Sequence, residues 1–171
     1  GDPGTITAPM MLVEIPGNAP LPHVVETLMN FTPSADGQGA GLVLASERGL
    51  PIFALTRGMC SGRPGCIGDG LYFDNLVAAR LTPPGYESKT LAVDSNLPPG
   101  APLLLRLIID ATGVPAYQGG PTGFTAIGTW DISKRAEDRL AFAGIMAFNG
   151  AAGAADQLAE FFQFYILKSM P

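Results

Sequence analysis

Two cysteines, Cys60 and Cys66, are the residues whose spacing points most directly to covalent chemistry. The residues between them include Gly62, Pro64 and Gly65, which favour a tight turn that brings the two sulfur atoms within bonding reach. A bond here closes a short loop and, by chain-entropy arguments, stabilises the folded state by roughly 2–2.5 kcal/mol. The spacing therefore predicts a Cys60–Cys66 disulfide.

Other uses of the cysteine pair fit the sequence less well. Structural zinc needs four ligands, and the chain offers two cysteines and one histidine, His23. A thioredoxin-like redox pair has two residues between its cysteines, and this pair has five. Two free thiols in a reducing cytosol remain as the alternative. Because disulfides persist in oxidising compartments, the predicted bond favours the periplasm or the extracellular space, with an export signal already removed.

Acidic side chains cluster just after the cysteine pair. Asp69 and Asp74 bracket a short apolar stretch that contains Tyr72. Oxygen ligands in a turn are the donors that Ca²⁺ prefers, but the EF-hand pattern is not met, and turn formation explains both aspartates. We therefore predict no metal site and no cofactor, and keep Asp69 and Asp74 as candidate ligand-binding residues.

Three tyrosines are the best aromatic candidates for contact with a ligand. Tyr72, Tyr86 and Tyr117 lie in segments rich in glycine and proline, where loops expose side chains. An aromatic ring can stack on a sugar or on an apolar molecule. Trp130 lies within a predicted strand and is expected to pack in the core. The expected ligand is therefore a glycan or a small apolar molecule.

Catalysis has little support in the sequence. Any Ser-His-Asp or Cys-His relay must use His23, which is expected to be exposed or to cap a strand, and no Gly-x-Ser-x-Gly elbow occurs. Two carboxylates can hydrolyse a glycosidic bond, yet nothing selects a pair among the 15 acidic residues. We expect a domain without a catalytic centre, and a glycan-active hydrolase is a weaker alternative.

The segments that must position these residues are typical of short strands. The 22 glycines and 16 prolines mark turns about every 8–15 residues, as in antiparallel β proteins. The expected strands are Thr5–Ile15, the hairpin Ala40–Ser46 and Leu50–Thr56, Thr90–Val93, Leu103–Ile109, Phe124–Ile132 and Leu140–Phe148. His23–Phe31 admits a strand or a short helix, and the strand is favoured. Leu76–Leu81 is a strand or a helical turn, and Leu158–Leu167 is ambiguous, because its aromatic residues suit a strand whereas Ala151–Glu160 suits a helical turn. The prediction is one all-β domain over residues 1–171, mostly antiparallel, built as a β-sandwich or jelly roll or as a closed β-barrel, with at most two short helices.

One strand stands out by its apolar character. Leu103–Ile109 has a single charged residue, Arg106, and its lack of alternation predicts a central strand that is buried on both faces. The segment Pro115–Gly123 that follows is expected to be a glycine-rich connection.

Charge and hydropathy limit the partners. Ten basic and 15 acidic residues give a net charge of −5 with no basic cluster, which argues against nucleic acid. No apolar run is long enough for a membrane-spanning helix. Charged residues make up only 15% of the chain against about 25% in typical domains. Apolar surface must therefore be abundant, and we expect a homo-oligomer or a protein partner that uses Ala141–Phe148 and Phe161–Tyr165.

These observations favour a secreted or periplasmic β domain that acts by binding or by self-assembly. The alternative is a small β-barrel with an apolar ligand cavity, either a carrier or an enzyme of the isomerase or cyclase type. An empty volume lined by apolar side chains is the feature that distinguishes the barrel from a filled sandwich.

Overall fold

The computed structural model describes residues 9–17, 21–62, 65–76, 90–94, 97–132, 139–149 and 157–168. Within these ranges the chain forms strands and no helix. The eleven strands are β1 (Met10–Glu14), β2 (His23–Asn30), β3 (Gln38–Ser46), β4 (Pro51–Cys60), β5 (Gly68–Asn75), β6 (Thr90–Asp94), β7 (Leu103–Ile109), β8 (Gly113–Gly120), β9 (Gly123–Asp131), β10 (Leu140–Asn149) and β11 (Glu160–Lys168).

The strands form two antiparallel sheets that pack face to face. The six-stranded sheet has the order β1-β10-β3-β4-β5-β6, and the five-stranded sheet has the order β11-β2-β7-β8-β9. The sheets are open and do not close into a barrel. The predicted all-β sandwich is therefore confirmed, and the barrel alternative is wrong.

The core lies between the two sheets, where alternate residues of each strand point inward. The six-stranded sheet contributes fully buried side chains such as Leu42, Leu55 and Phe73, and the five-stranded sheet contributes Leu105 and Val25. Since each strand presents every second residue to this layer, strand pairing also decides which side chains reach the opposite, outer face.

The apolar strand β7 is central, as predicted, because β2 and β8 pair with its two edges. Its burial nevertheless alternates along the strand: Leu105 is fully buried, whereas Leu104 and Arg106 are only partly buried. The predicted burial of both faces is therefore wrong. In a sandwich only one face of a strand meets the other sheet, and the run of leucines hides this alternation in the sequence.

The predicted connection Pro115–Gly123 is wrong as well, since most of it belongs to β8 and its turn into β9. The two-residue turn between β8 and β9 ends at Gly123, the first residue of β9, whose φ of 120° is a conformation that favours glycine. Pro115 lies just outside the β7–β8 pairing, which ends at Leu107 and Ala116. The segment thus tolerates a residue that lacks the backbone N–H.

The outer face of the six-stranded sheet is itself buried around β3, β4 and β10. Val43, Ala54 and Met146 are 3% exposed or less, and Met10, Leu12, Leu76 and Phe148 pack against them. Gly39 permits this arrangement, because a Cβ there would lie 2.3 Å from the ring of Phe148. This face is therefore a second apolar layer.

Other strand predictions are confirmed to within a few residues, among them the β3–β4 hairpin and β10. The predicted Thr5–Ile15 strand is described only from residue 9 onward, and Leu76–Leu81 lies outside the described residues after Leu76. Nowhere in the described segments does a helix have the length and apolar character needed to cross a membrane.

Candidate functional site

The predicted disulfide is present. Cys60 ends β4 and Cys66 precedes β5, with their Cα atoms 5.1 Å apart. The bond ties the two strands together at the loop that joins them. A bond of this kind is typical of oxidising compartments.

Tyr72 lies in a strand and not in the loop expected from its glycine-rich neighbourhood. It is 5% exposed on the outer face of β5, where its hydroxyl donates to the carbonyl of Gly68 at 2.5 Å and accepts from the amide of Ile67 at 3.2 Å. Burial, reinforced by the nearby charges of Asp69 and Asp74, raises the pKa of the phenol. The Tyr72 hydroxyl thus holds the backbone of Ile67 and Gly68, where the chain leaves the disulfide loop and enters β5.

Asp69 and Asp74 also lie in β5, so the turn expected for them is wrong. The carboxylate of Asp69 points into the sandwich and accepts from Nε and Nη2 of Arg57 at 3.0 and 2.8 Å. Asp74 faces outward, and its Oδ1 accepts the Thr90 hydroxyl at 2.5 Å. Desolvation by burial raises the pKa of Asp74.

These two carboxylates therefore cannot join in one site, because they lie on opposite faces of the sheet. Among the residues that the structure describes, no group of three or more acidic, histidine or cysteine side chains is placed to hold a metal ion. The third tyrosine candidate, Tyr86, lies outside the described residues.

Tyr117 lies on the outer face of the five-stranded sheet, in a group that we call the outer cluster: Glu26, Arg106, Tyr117, Phe124 and Tyr165. Strand register builds this group. Tyr165 is opposite Glu26, Glu26 is opposite Arg106, and Arg106 is opposite Tyr117, so the four side chains form one row across β11, β2, β7 and β8. On β9 the residue opposite Tyr117 is Ala126, and Phe124 lies two residue pairs farther along, opposite Gly119.

The Arg106 guanidinium is the centre of the outer cluster. Its Nε and Nη2 atoms both contact Oε1 of Glu26. The guanidinium carbon, Cζ, lies 3.4 Å from the centroid of the Phe124 ring, in a cation–π arrangement. Phe124 meets Tyr117 edge to face, with centroids 6.5 Å apart and an angle of 82° between the rings. The carboxylate and the ring together fix the plane of the guanidinium.

The outer cluster combines fixed polar groups with accessible rings. Side-chain exposure is 28% for Arg106 and 13% for Glu26, and Phe124 and Tyr165 are 38% and 46% exposed. A guanidinium has five N–H donors, and among the described residues Glu26 engages only those on Nε and Nη2. The Nη1 donors and the Glu26 carboxylate can therefore bind hydroxyl groups, while the rings offer faces for stacking.

The sequence pointed to only part of this cluster. Tyr117 is a predicted ligand-binding candidate, and Arg106 is the single charge of an apolar strand. Tyr165 belongs to the stretch Phe161–Tyr165 predicted for a protein partner, not to the ligand-binding candidates, and Glu26 and Phe124 are not among the predicted site residues. The available signal was that Glu26 and Arg106 each interrupt an apolar run with a charge of opposite sign, which is typical of paired residues on a solvated strand face.

A separate groove lies between the sheets, where β2 begins and β7 ends. Its volume is about 610 Å³, and Phe53 and Ile109 are among its apolar lining residues. His23 lines it and is 5% exposed, so of the two expectations, exposed or capping a strand, the exposed one is wrong; His23 is the first residue of β2. The ion pair between Glu47 and Arg139, 3.7 Å apart and well exposed, lies at its rim. The groove therefore combines an apolar base with a polar edge.

Neither a protein-family profile nor a curated protein matches this chain. Solved structures are similar to it. The GH43 protein BlXynB from Bacillus licheniformis has a TM-score of 0.63 and 19% identity, over 86% of this chain and 28% of its own. GH43B of a Bacteroides ovatus xyloglucan PUL has a TM-score of 0.63 and 15% identity, over 91% and 29%. Congerin II with lactose and MES has a TM-score of 0.55 and 10% identity, over 93% and 100%.

These similarities show a shared β-sandwich fold and nothing finer. The chain spans somewhat more than a quarter of the two GH43 chains and the full length of congerin II. At such identities a shared fold does not imply shared residues or a shared activity.

Proposed function

We propose that this protein is a secreted or periplasmic glycan-binding domain without a catalytic centre, and that the outer cluster is its binding surface. The observation that carries the proposal is the Arg106–Glu26 pair, which is held against the Phe124 ring on a solvated sheet face. The disulfide supports the compartment, since such bonds persist outside the reducing cytosol.

The cluster is suited to a neutral sugar. Arg106 and Glu26 compensate each other's charge, so the surface offers donors and acceptors without a net charge to attract an ion. Sugar hydroxyls can bridge these groups, and the non-polar face of a sugar ring can lie on Tyr117, Phe124 or Tyr165. Because the guanidinium is already held in place, ligand binding costs little side-chain entropy.

The structural neighbours support the same class of ligand. Congerin II was solved with lactose, and one GH43 neighbour belongs to a xyloglucan PUL. Their sandwiches superpose on this chain, and a sheet face is the largest regular surface that such a fold offers. The support is by analogy of fold, so the ligand must be established by binding.

The experiment is titration calorimetry with a panel of neutral oligosaccharides that includes lactose, xylo-oligosaccharides and xyloglucan oligosaccharides. We expect at least one to bind, and Arg106→Met and Tyr117→Ala each to weaken that binding by about tenfold or more, the equivalent of about 1.4 kcal/mol. Thr129→Ala, on the outer face of β9 but outside the cluster, is the matched control and should bind like the wild type. Absence of binding across the panel, or equal binding by the Arg106 and Tyr117 variants, would contradict the proposal.

A further inference from the structure

Strand β11 is the least protected sheet edge in the described part of the chain. The other edge strands are β1 and β6, with five residues each, and β9, which contains Gly123, Gly128 and Asp131. Short length, glycine and charge all discourage pairing with another chain. By contrast, β11 has nine residues, no glycine or proline, and charges only at its two ends, and its one irregularity is a register shift between Phe161 and Gln163, near its start.

Exposed apolar side chains are concentrated on the same edge. Ten large apolar residues of the described chain are more than a third exposed, and four of them fall between residues 158 and 167: Leu158, Phe162, Tyr165 and Leu167, at 77%, 55%, 46% and 45%. Only β2 pairs with β11 within the described ranges, so the second edge of the strand has no partner strand there. A long apolar edge of this kind is a template for strand addition.

We infer that β11 pairs antiparallel with β11 of a second copy, about a two-fold axis near Phe164. The charges select this arrangement. The strand begins with Glu160 and ends with Lys168, so antiparallel pairing places each acidic start beside the other copy's basic end. Parallel pairing sets like charges together. Pairing of β11 with β9 of another copy is heterologous, so it leaves edges open and builds fibres rather than a closed dimer.

The dimer has a consequence for ligand binding that rests on the proposed function. The two five-stranded sheets become one sheet of ten strands, with both outer clusters on the same face. Five inter-strand steps separate the two copies of Arg106, a distance of roughly 24 Å. An extended glycan can then engage both clusters, which raises its apparent affinity without any new contact.

Sedimentation equilibrium without any glycan tests the dimer independently of ligand binding. We expect a mass of twice 17.8 kDa at high concentration, with dissociation over about a hundredfold dilution. Glu160→Lys should raise the dimer dissociation constant by about tenfold or more, because it sets like charges together at both ends. The exchange Glu160→Lys with Lys168→Glu should restore association, a result that a purely local effect on folding does not produce.

Two further variants complete the test. Phe162→Asp should also weaken association, since it places a charge in the apolar edge, and Glu14→Lys on β1 is the control that should associate like the wild type. A wild-type mass of 17.8 kDa at every concentration overturns the inference. So does failure of the charge exchange to restore the dimer, or a mass that keeps growing beyond two copies.

Discussion

In the described part of the chain, two arginine–carboxylate pairs join neighbouring strands, one in each sheet, and they face opposite ways. Arg57 of β4 points into the sandwich, is fully buried, and pairs with Asp69 of the neighbouring strand. Arg106 of β7 points outward, remains 28% exposed, and pairs with Glu26 of the neighbouring strand. Both pairs join an arginine to a carboxylate of the next strand, directly opposite for Arg106 and diagonally for Arg57, and the two pairs lie on opposite faces of their sheets.

Burial decides what such a pair can do. The Arg57 side chain is fully buried. Its Nε and Nη2 atoms donate to the Asp69 carboxylate, Nη2 also donates to the carbonyl of Leu97, and Nη1 has no acceptor in the described part of the chain. The desolvation of this buried guanidinium is compensated only while Asp69 remains charged. Arg106 keeps contact with water and lies against a ring, so its free donors can exchange water for a ligand.

The largest expected effect contrasts the two faces of β7. Leu105→Ala should lower the free energy of unfolding by about 2–5 kcal/mol, since the side chain is fully buried and its loss leaves a cavity. Leu104→Ala, one residue away on the outer face, should cost less than about 1.5 kcal/mol. Chemical denaturation of both variants measures the difference, and equal losses would mean that the two faces of β7 are equally buried.

The next effect contrasts the two carboxylates. Asp69→Asn should cost about 3 kcal/mol, at the lower end of the range for a broken buried pair because Asp69 itself is 32% exposed. Glu26→Gln, the matching change on the outer face, should cost no more than about 1 kcal/mol, because water can reach Arg106. Denaturation curves of the two variants and the wild type measure the two losses in the free energy of unfolding. A larger loss for Glu26→Gln would reverse the roles assigned to the pairs.

A smaller, pH-dependent effect is expected at Asp74, on the buried outer face of the six-stranded sheet. Burial raises its pKa above the ordinary value of 3.8, so the folded state holds the proton more tightly than the unfolded state. The stability that this provides is complete below pH 3.8 and is lost as the pH rises through the folded-state pKa. Asp74→Asn should therefore melt higher than the wild type at pH 7, and the gap should shrink on acidification. A gap independent of pH would contradict the assignment.

Much of the fold could be predicted from local sequence. Apolar runs bounded by glycine and proline located β2, β7 and β10, and the spacing of Cys60 and Cys66 located the disulfide. Strand β8 escaped prediction because its glycines and Pro115 resemble a loop, and only pairing with β7 and β9 makes it a strand. Here tertiary pairing outweighs local propensity.

The candidate site was less accessible to sequence reasoning. The outer cluster draws on residues that are up to 139 positions apart, from Glu26 to Tyr165, and only the strand order brings them into one row. Asp69 and Asp74 show the converse. They are close in sequence, but side chains alternate between the two faces of a strand, so these two lie on opposite faces of β5. Closeness in sequence therefore does not show that two strand residues share a site unless the strand register is known.

Amide chemical-shift mapping shows residue by residue whether the outer cluster binds neutral glycans. A uniformly ¹⁵N-labelled sample titrated with a neutral oligosaccharide should show its largest shifts at Glu26, Arg106, Tyr117 and Phe124, and none around the buried face at Val43. The same titration of Arg106→Met should need at least about tenfold more ligand to reach the same shifts, in a protein that remains folded. Shifts confined to the groove around His23, or no shifts with any member of the panel, would contradict the account.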